Sequence, residues 1–219
     1  MATNTYQPDD STGLDTYLDQ ANPTTNYGGN ATMTFGDVFV KSDGFEFPLL
    51  EFDISDITAG STVTSASLDL FAESVVTGGF DSRVQRIVRS DWSESQATWN
   101  IYKTGNDWST TGARHDGNDI STTNQVTFTA TTGSGSFTIS GLGTLAQDAL
   151  DTRSGKFRFK LFPNFSGSSK YMTLTSSGGA TSANRPKLTV NYTVPAATNI
   201  NRIERKFSRG VLRGVGRGR

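Results

Sequence analysis

The stretch KFRFKLF, residues 156–162, alternates basic and apolar side chains along its whole length. Successive side chains of a β-strand point to opposite faces, so this period of two predicts a strand with one buried face. The predicted faces are Phe157, Phe159 and Leu161 on the buried side, and Lys156, Arg158 and Lys160 on the outer side. We therefore expect a basic stripe along the outside of this strand.

The same alternation recurs in other short runs, among them FEFPLLEFDI at residues 45–54 and ASLDLFAES at residues 66–74. Turn residues such as Gly-Gly, Asp-Gly and Asn-Pro separate the runs. Roughly ten short strands at this spacing, in a chain rich in Gly, Ser and Thr, favour an antiparallel sandwich of two sheets. The sequence predicts an all-β protein.

One segment, GLGTLAQDALDTRSG at residues 141–155, has the period of a helix instead. Its apolar face would carry Leu142, Leu145, Ala146 and Ala149. The opening GLGTLA also fits the G-x-G-x-x-A dinucleotide fingerprint, which needs an acid about 20 residues further on. No Asp or Glu lies between residues 152 and 203, so these glycines are interpreted as a turn before one short helix.

Charge is distributed unevenly along the chain of 219 residues, although 20 Lys and Arg nearly balance 21 Asp and Glu. After residue 151 the sole acid is Glu204, and basic residues prevail. The chain has no cysteine, which excludes disulfides and thiolate zinc sites. No secretory leader or membrane-length apolar run stands out, so we expect no membrane insertion.

Candidates for catalysis are few. His115 is the only histidine, and its polar surroundings, GARHDGND, lack a nucleophile-elbow motif. Acids are numerous, but no pair stands out as a glycosidase pair. Two groups could supply hard oxygen ligands to a structural calcium ion. They are Asp9, Asp10, Asp15 and Asp19 near the N-terminus, and Asp116, Asn118 and Asp119 further on. We expect a non-enzymatic protein without a catalytic or cofactor site, with structural calcium left open.

All three tryptophans fall within SDWSESQATWNIYKTGNDWS, residues 90–109. Aromatic ring faces in a polar segment are typical of sugar-binding sites, because the C–H-rich faces of sugars stack on them. The candidate glycan-binding residues are Trp92, Trp99, Tyr102 and Trp108. The alternative is that Trp92 and Trp99 are core residues that hold a long connection in place.

Four motifs in order resemble the DNRLRE domain family, which is related to disaggregatase repeats and to some carbohydrate-binding modules. The motifs are DTYLDQANPTTNYGG at 15–29, PLLEFDISDITAGSTVTSASLDLF at 48–71, WSESQATWN at 92–100 and ANRPKLTVNYT at 183–193. The resemblance implies a jelly-roll-like β-sandwich, without catalysis, over residues 1–195. It also implies that the WSE…ATWN motif is largely structural.

The last 24 residues, 196–219, form a predicted basic arm. Its apolar and cationic residues each recur every four positions, out of phase by two, which on a helix gives two opposite stripes. The apolar row is Ile203, Phe207, Val211 and Val215, and the cationic row is Arg205, Arg209, Arg213 and Arg217. Such an arm suits a protein partner with an apolar, acidic groove. Nucleic acid and an anionic membrane surface are weaker alternatives.

Together, a lone display-type domain and an anchoring arm are similar to the surface proteins of tailed bacterial viruses. The first hypothesis is therefore a virion structural protein, a capsid decoration or fibre-like module. Its arm would dock on the capsid or tail shell, and the protein would form a homo-oligomer in the assembly. The alternative is an extracellular carbohydrate-binding module of a polysaccharide-active or cell-surface protein. Both readings allow binding to surface glycans.

Overall fold

A computed structural model describes residues 1–38, 44–165 and 169–196 of the chain. In these residues thirteen strands pair in antiparallel ladders, which confirms the predicted all-β sandwich. The strands are β1 Ala2–Tyr6, β2 Leu14–Asp19, β3 Thr32–Asp37, β4 Phe45–Asp53, β5 Thr62–Val75, β6 Asp81–Ile87, β7 Ile101–Lys103, β8 Asn106–Asp107, β9 Ile120–Thr129, β10 Gly135–Ile139, β11 Lys156–Pro163, β12 Lys170–Thr175 and β13 Lys187–Thr193.

Eleven of the described strands form one continuous sheet in the order β1-β13-β5-β12-β3-β4-β11-β6-β9, with β10 paired to β5 and β2 paired to β4. The sheet curls, so that the half containing β5 and β13 packs against the half containing β4, β11 and β6. The main core between the halves contains, among others, Phe35, Leu68, Phe157, Phe159 and Leu188. The predicted buried face of KFRFKLF therefore lies in this core.

The predicted helix is present as α1, Gly143–Thr152, and buries Leu145, Ala146 and Ala149. Gly141 precedes it with a φ of 84°, and Gly155 follows it with a φ of 75°. A side chain at Gly155 would meet the Ser55 backbone at 2.5 Å, so glycine is required there by both conformation and space. A short 3₁₀ helix, Ser182–Asn184, precedes β13.

A second core covers the other face of the β2-β4-β11-β6-β9 half, here called the outer face. It contains Leu18, Phe47 and Leu49 from the sheet, together with all three tryptophans. The tryptophans belong to residues 88–119, a long connection between β6 and β9 that lies across the outer face. Strand β4 therefore has both faces buried along most of its length.

The expected outer stripe of KFRFKLF needs one correction, at Lys160. Its side chain is 0 % exposed, because residues 88–119 cover it. The ammonium donates hydrogen bonds to the carbonyl oxygens of Gly112 (3.3 Å) and Ala113 (2.6 Å), and lies 4.8 Å from the Phe47 ring centroid. Alternation placed Lys160 on the correct face, but it could not reveal that a distant segment covers that face.

The predicted basic arm, residues 196–219, lies outside the described residues except for Ala196, at its start. This holds for Ile203, Arg205, Phe207, Arg209, Val211, Arg213, Val215 and Arg217. The docking role of these residues and the domain boundary remain predictions. Among the described residues, no helix has both the length and the apolar character to cross a membrane.

Candidate functional site

The four aromatic residues expected to contact glycan lie in the second core. Trp92, Trp99, Tyr102 and Trp108 are only 4–8 % exposed. The Trp99 ring packs 5.2 Å from that of Phe47, and Tyr102 lies 5.5 Å from Trp108, centroid to centroid. The indole N–H of Trp108 donates to the carbonyl of Thr98 at 2.9 Å. These rings therefore present no open face for a sugar. Trp92 and Trp99 are core residues, which was the alternative interpretation of the sequence.

A loop before β3 holds the tryptophan segment on the sheet. The side-chain amide of Asn26 donates to the carbonyls of Glu94 (2.6 Å) and Ala97 (2.8 Å). Gly28 lies so close to Glu94 that a Cβ would come within 2.3 Å of the Glu94 carbonyl oxygen. The motifs at 15–29 and 92–100 therefore form one structural clamp, as the family resemblance implied for WSE…ATWN.

The acids considered as calcium ligands accept hydrogen bonds from the protein itself. Asp119 accepts from the backbone N–H groups of Ser109 (2.9 Å), Thr110 (2.9 Å) and His115 (3.2 Å). Asp19 accepts from the Ala21 N–H and from the Tyr27 hydroxyl.

The remaining candidate acids fit the same pattern where they have partners. Asp9 caps a turn, and hydrogen bonds from Ser11 and Thr12 lower its pKa to about 2. Asp15 accepts from the Ser177 N–H at 2.6 Å, and Asp116 from Thr122 at 2.7 and 2.9 Å. In residues 1–38, 44–165 and 169–196, no group of three or more His, Cys, Asp or Glu side chains could hold a metal ion.

A groove lies at the open end of the outer face, apart from the buried aromatic residues and the hydrogen-bonded acids described above. It has a volume of about 370 Å³ and lies where β6, β9 and the end of β11 meet. Its lining includes Asp81, Arg83, Thr127, Phe128, Thr129 and Asn164. We call it the Arg83 groove.

Strand register places the polar side chains of the Arg83 groove in two rows. Arg83 pairs with Phe162 on one side and with Thr127 on the other. Asp81 pairs with Thr129, and the Asn164 N–H donates to the Asp81 carbonyl at 2.8 Å. Residues two apart on a strand share a face, so Asp81 and Arg83 lie side by side and the two threonines lie beside them.

Five polar side chains of this groove have no partner among the described residues, whereas the Ser82 hydroxyl donates to the Phe80 carbonyl. In the described part of the chain, no hydrogen bond or ion pair is formed by the side chains of Asp81, Arg83, Thr127, Thr129 and Asn164. The Nε of Arg83 is buried without a partner. Buried polar groups are normally hydrogen-bonded, and an unpaired one costs about 1–3 kcal/mol. A ligand that supplied these partners would recover that cost.

The groove offers the groups that recognise a sugar. Arg83 and Asn164 supply N–H donors, Asp81 and Asn164 supply acceptors, and a threonine hydroxyl can do either. Phe128 also lines the groove, but it alternates with Thr127 and Thr129, so its ring points to the inner face and packs on Phe35, with centroids 6.2 Å apart. The sequence analysis did not identify this site. The run DSRVQRI carried a signal, because its alternation places Asp81 and Arg83 on one face.

The family comparison gives the class of protein, a carbohydrate-binding module, with which the sandwich is compatible. Residues 8–156 match the model of carbohydrate-binding module family 96, and the chain belongs to that family. The match spans three of the four motifs quoted above, and modules of this kind are in general non-catalytic. A search of curated proteins found no match for this chain.

Proposed function

We propose that this protein binds carbohydrate without turning it over, and that the Arg83 groove is the binding site. One observation carries the choice of site. On a member of a carbohydrate-binding family, the groove brings together five polar side chains that form no hydrogen bond or ion pair with any described residue. An extracellular or surface setting follows from this function.

Each residue has a defined part in the proposed binding. Arg83 donates from its fork to sugar oxygens, and the adjacent Asp81 carboxylate accepts from neighbouring hydroxyls. Thr127, Thr129 and Asn164 form the remaining hydrogen bonds with the sugar hydroxyls. Binding needs no metal in this scheme, because every contact is a hydrogen bond.

The test is a panel of neutral and acidic polysaccharides, followed by calorimetric titration of whichever one binds. Arg83→Ala removes charge-assisted hydrogen bonds worth about 1.5–3 kcal/mol, so affinity should fall at least about tenfold. The matched control is Arg86→Ala, since Arg86 is on the same strand but pairs with Asp148 of α1 at 3.5 Å. Unchanged affinity in Arg83→Ala, or no binding to any polysaccharide, would contradict the proposal.

The virion role expected from the sequence stays a separate hypothesis. It depends on the basic arm, most of which is outside the described residues, and no observation on the described residues favours it. A virion decoration that adheres to surface sugars would be compatible with the Arg83 groove. Deleting residues 202–219 should abolish incorporation into particles and leave glycan binding intact. Incorporation that survives the deletion would count against the docking role.

A further inference from the structure

A second groove lies near the opposite end of the β-strands from the Arg83 groove. It has a volume of about 230 Å³ and is formed where the connection from β1 to β2 passes the end of β4. Its lining includes Tyr6, Gln7, Pro8, Thr12, Glu51 and Asp53, and we call it the Tyr6 groove. The eight-residue length of β11 and two strand spacings separate the grooves, which makes roughly 25 Å.

The backbone of Asp53 opens into the Tyr6 groove. Strand β2 ends its pairing with β4 at Leu14 and Glu51, so no described strand continues beside Asp53. The Ile54 N–H donates to Gly155 on the β11 side at 2.8 Å. Because neighbouring residues of a strand direct their backbone groups to opposite sides, the N–H and C=O of Asp53 point away from β11. One donor and one acceptor therefore face the groove.

Thr12, which the register would place opposite Asp53, does not fill this gap. Its N–H bonds to the Asp9 carbonyl at 3.1 Å within a turn. Among the described residues, Asp53 is the one unpaired residue of this edge, so an added peptide strand would gain the hydrogen bonds of a single residue. Strand addition needs a longer unpaired edge, and a compact ligand fits better.

The charges of the Tyr6 groove are balanced in pairs. Arg158 donates to Glu51 at 2.6 Å, and Lys156 donates to Asp53 at 2.8 Å. Burial raises the pKa of Asp53, but hydrogen bonds from Lys156 and Ser55 outweigh it and lower the value to about 2. Asp53 therefore stays ionised, and each carboxylate is paired with a cationic side chain. The groove therefore favours neither an anion nor a metal ion, while Glu51 and Asp53 present acceptors and the Asp53 backbone adds a donor and a further acceptor.

An aromatic ring and a proline form the apolar wall. Tyr6 is half-buried, and its hydroxyl donates to Asp56 at 2.5 Å, which fixes the ring. Burial and this hydrogen bond raise the pKa of Tyr6, so the phenol stays neutral. An apolar wall in the same groove as several acceptors and one backbone donor suits a polyol ring with one C–H-rich face. The volume is below the roughly 300–1,000 Å³ of clefts for drug-sized ligands, which suits one ring.

We propose that the Tyr6 groove is a second binding site, which takes one neutral sugar residue independently of the Arg83 groove. The choice of ligand class rests on the proposed carbohydrate-binding function, while the location rests on the open Asp53 backbone and the paired charges. Two separate sites let one module hold two glycan chains, or two points of one chain. On a polymeric glycan, avidity would then exceed the affinity of either site.

Amide chemical shifts of the ¹⁵N-labelled full chain test the proposal. The probes are the methyl glycosides of glucose, mannose and galactose, with methyl glucuronide as the charged comparison. At least one neutral glycoside should shift the amides of Glu51 and Asp53 in a saturable way. Methyl glucuronide should bind there several-fold more weakly, because Glu51 and Asp53 oppose its carboxylate.

Variants link these shifts to the groove. Tyr6→Ala removes the ring and should abolish saturation at Asp53, whereas Tyr6→Phe keeps the ring and should retain it. If Tyr6→Ala fails to fold, Thr12→Trp, which fills the groove from an exposed position, should abolish it instead. Arg83→Ala should leave the Asp53 response unchanged.

Two results would overturn the second site. One is a response at Arg83-groove amides with none at Asp53 for any neutral glycoside, which leaves the proposed function standing. The other is an Asp53 response that persists in Thr12→Trp. If neither groove responds to any probe or polysaccharide, the proposed function fails as well.

Discussion

Lys160 and Arg83 lie on the same outer face of adjacent strands, yet their surroundings are opposite. Lys160 is buried under residues 88–119, between two carbonyl acceptors and the rings of Phe47 and Phe162. Arg83 lies beyond the reach of that segment, beside a groove, with its Nε buried and unpaired. One part of the face has become a core, and the other is left as a candidate site.

The difference shows that the covering segment determines where this sandwich can bind. Without residues 88–119, the outer face would be one continuous surface of aromatic and charged side chains. The tryptophans of this segment fill the middle of that face. On this face, the polar side chains around Arg83 lie at the uncovered end, and no described residue bonds to them. Variants in the covered part and in the open part of the outer face test this difference.

The largest effect is expected from Trp99→Ala in the covered part. The Trp99 ring fills the space between Phe47 and Gly112, and such truncations cost about 3–5 kcal/mol of unfolding free energy. Urea unfolding at neutral pH measures the loss. Where protein remains folded, affinity for glycan should be unchanged, because Trp99 does not line the Arg83 groove. Lost binding in a folded Trp99→Ala protein would contradict the division between the two parts.

Gly112→Ala is a second way to disturb the same contact. Gly112 has a φ of 75°, and a Cβ there would lie 2.7 Å from the Trp99 ring. Both the backbone strain and the overlap should destabilise the fold. A Gly112→Ala protein as stable as wild type would show that residues 88–119 pack less closely than described.

The next effect concerns the pH dependence conferred by Lys160. Burial, with Arg114 nearby, lowers its pKa from 10.5 to about 7, against a smaller opposing contribution from Asp119. Above pH 7 the folded state therefore binds fewer protons than the unfolded state, and stability gains about 1.4 kcal/mol per pH unit from this group. The gain continues towards pH 10.5.

Lys160→Met removes that contribution while keeping an apolar stem of similar length. Burial and the nearby Asp19 and Asp37 raise the pKa of Glu46 to about 9, so Glu46 gives the opposite slope below pH 9. That slope is common to both proteins. The unfolding free energy of wild type minus that of Lys160→Met should therefore rise by about 1.4 kcal/mol per pH unit between pH 7.5 and 9.5. Parallel curves would show that Lys160 keeps an ordinary pKa.

The sequence predicted the sandwich because alternation is a local property that each strand carries by itself. KFRFKLF gave the correct faces, and the one helix was found between its glycines. Burial of Lys160 was beyond reach, since it depends on a segment tens of residues away, whereas burial of Trp92 and Trp99 was one of the two alternatives that the sequence left open. The Arg83 groove was missed for a related reason. Asp81, Thr127 and Asn164 belong to three separate strands or strand ends, and only their register brings them together.

A smaller effect should follow from Asn26→Ala, which releases the clamp on the covering segment. The variant leaves the Glu94 and Ala97 carbonyls without the Asn26 donor, at a cost of about 1–2 kcal/mol. The loss should appear first as faster amide hydrogen exchange in residues 92–102, before any change in the main core. Asn22→Ala is the control, because Asn22 bonds to Asp19 in the same loop and contacts neither carbonyl.

Arg83→Ala should have the smallest effect on the fold and yet the clearest effect on binding. Its side chain has no hydrogen-bond or ion-pair partner in the described residues, so the unfolding free energy should change by less than about 0.5 kcal/mol. Its removal even relieves an unpaired buried Nε. An unpaired buried polar atom lowers the stability of the fold, and its presence is explained if its partner is a ligand. Stability and affinity should therefore separate in opposite directions: Trp99→Ala loses stability and keeps affinity, and Arg83→Ala keeps stability and loses affinity. Parallel loss of both quantities in Arg83→Ala, measured by urea unfolding and calorimetry, would make Arg83 a structural residue and leave the groove without a function.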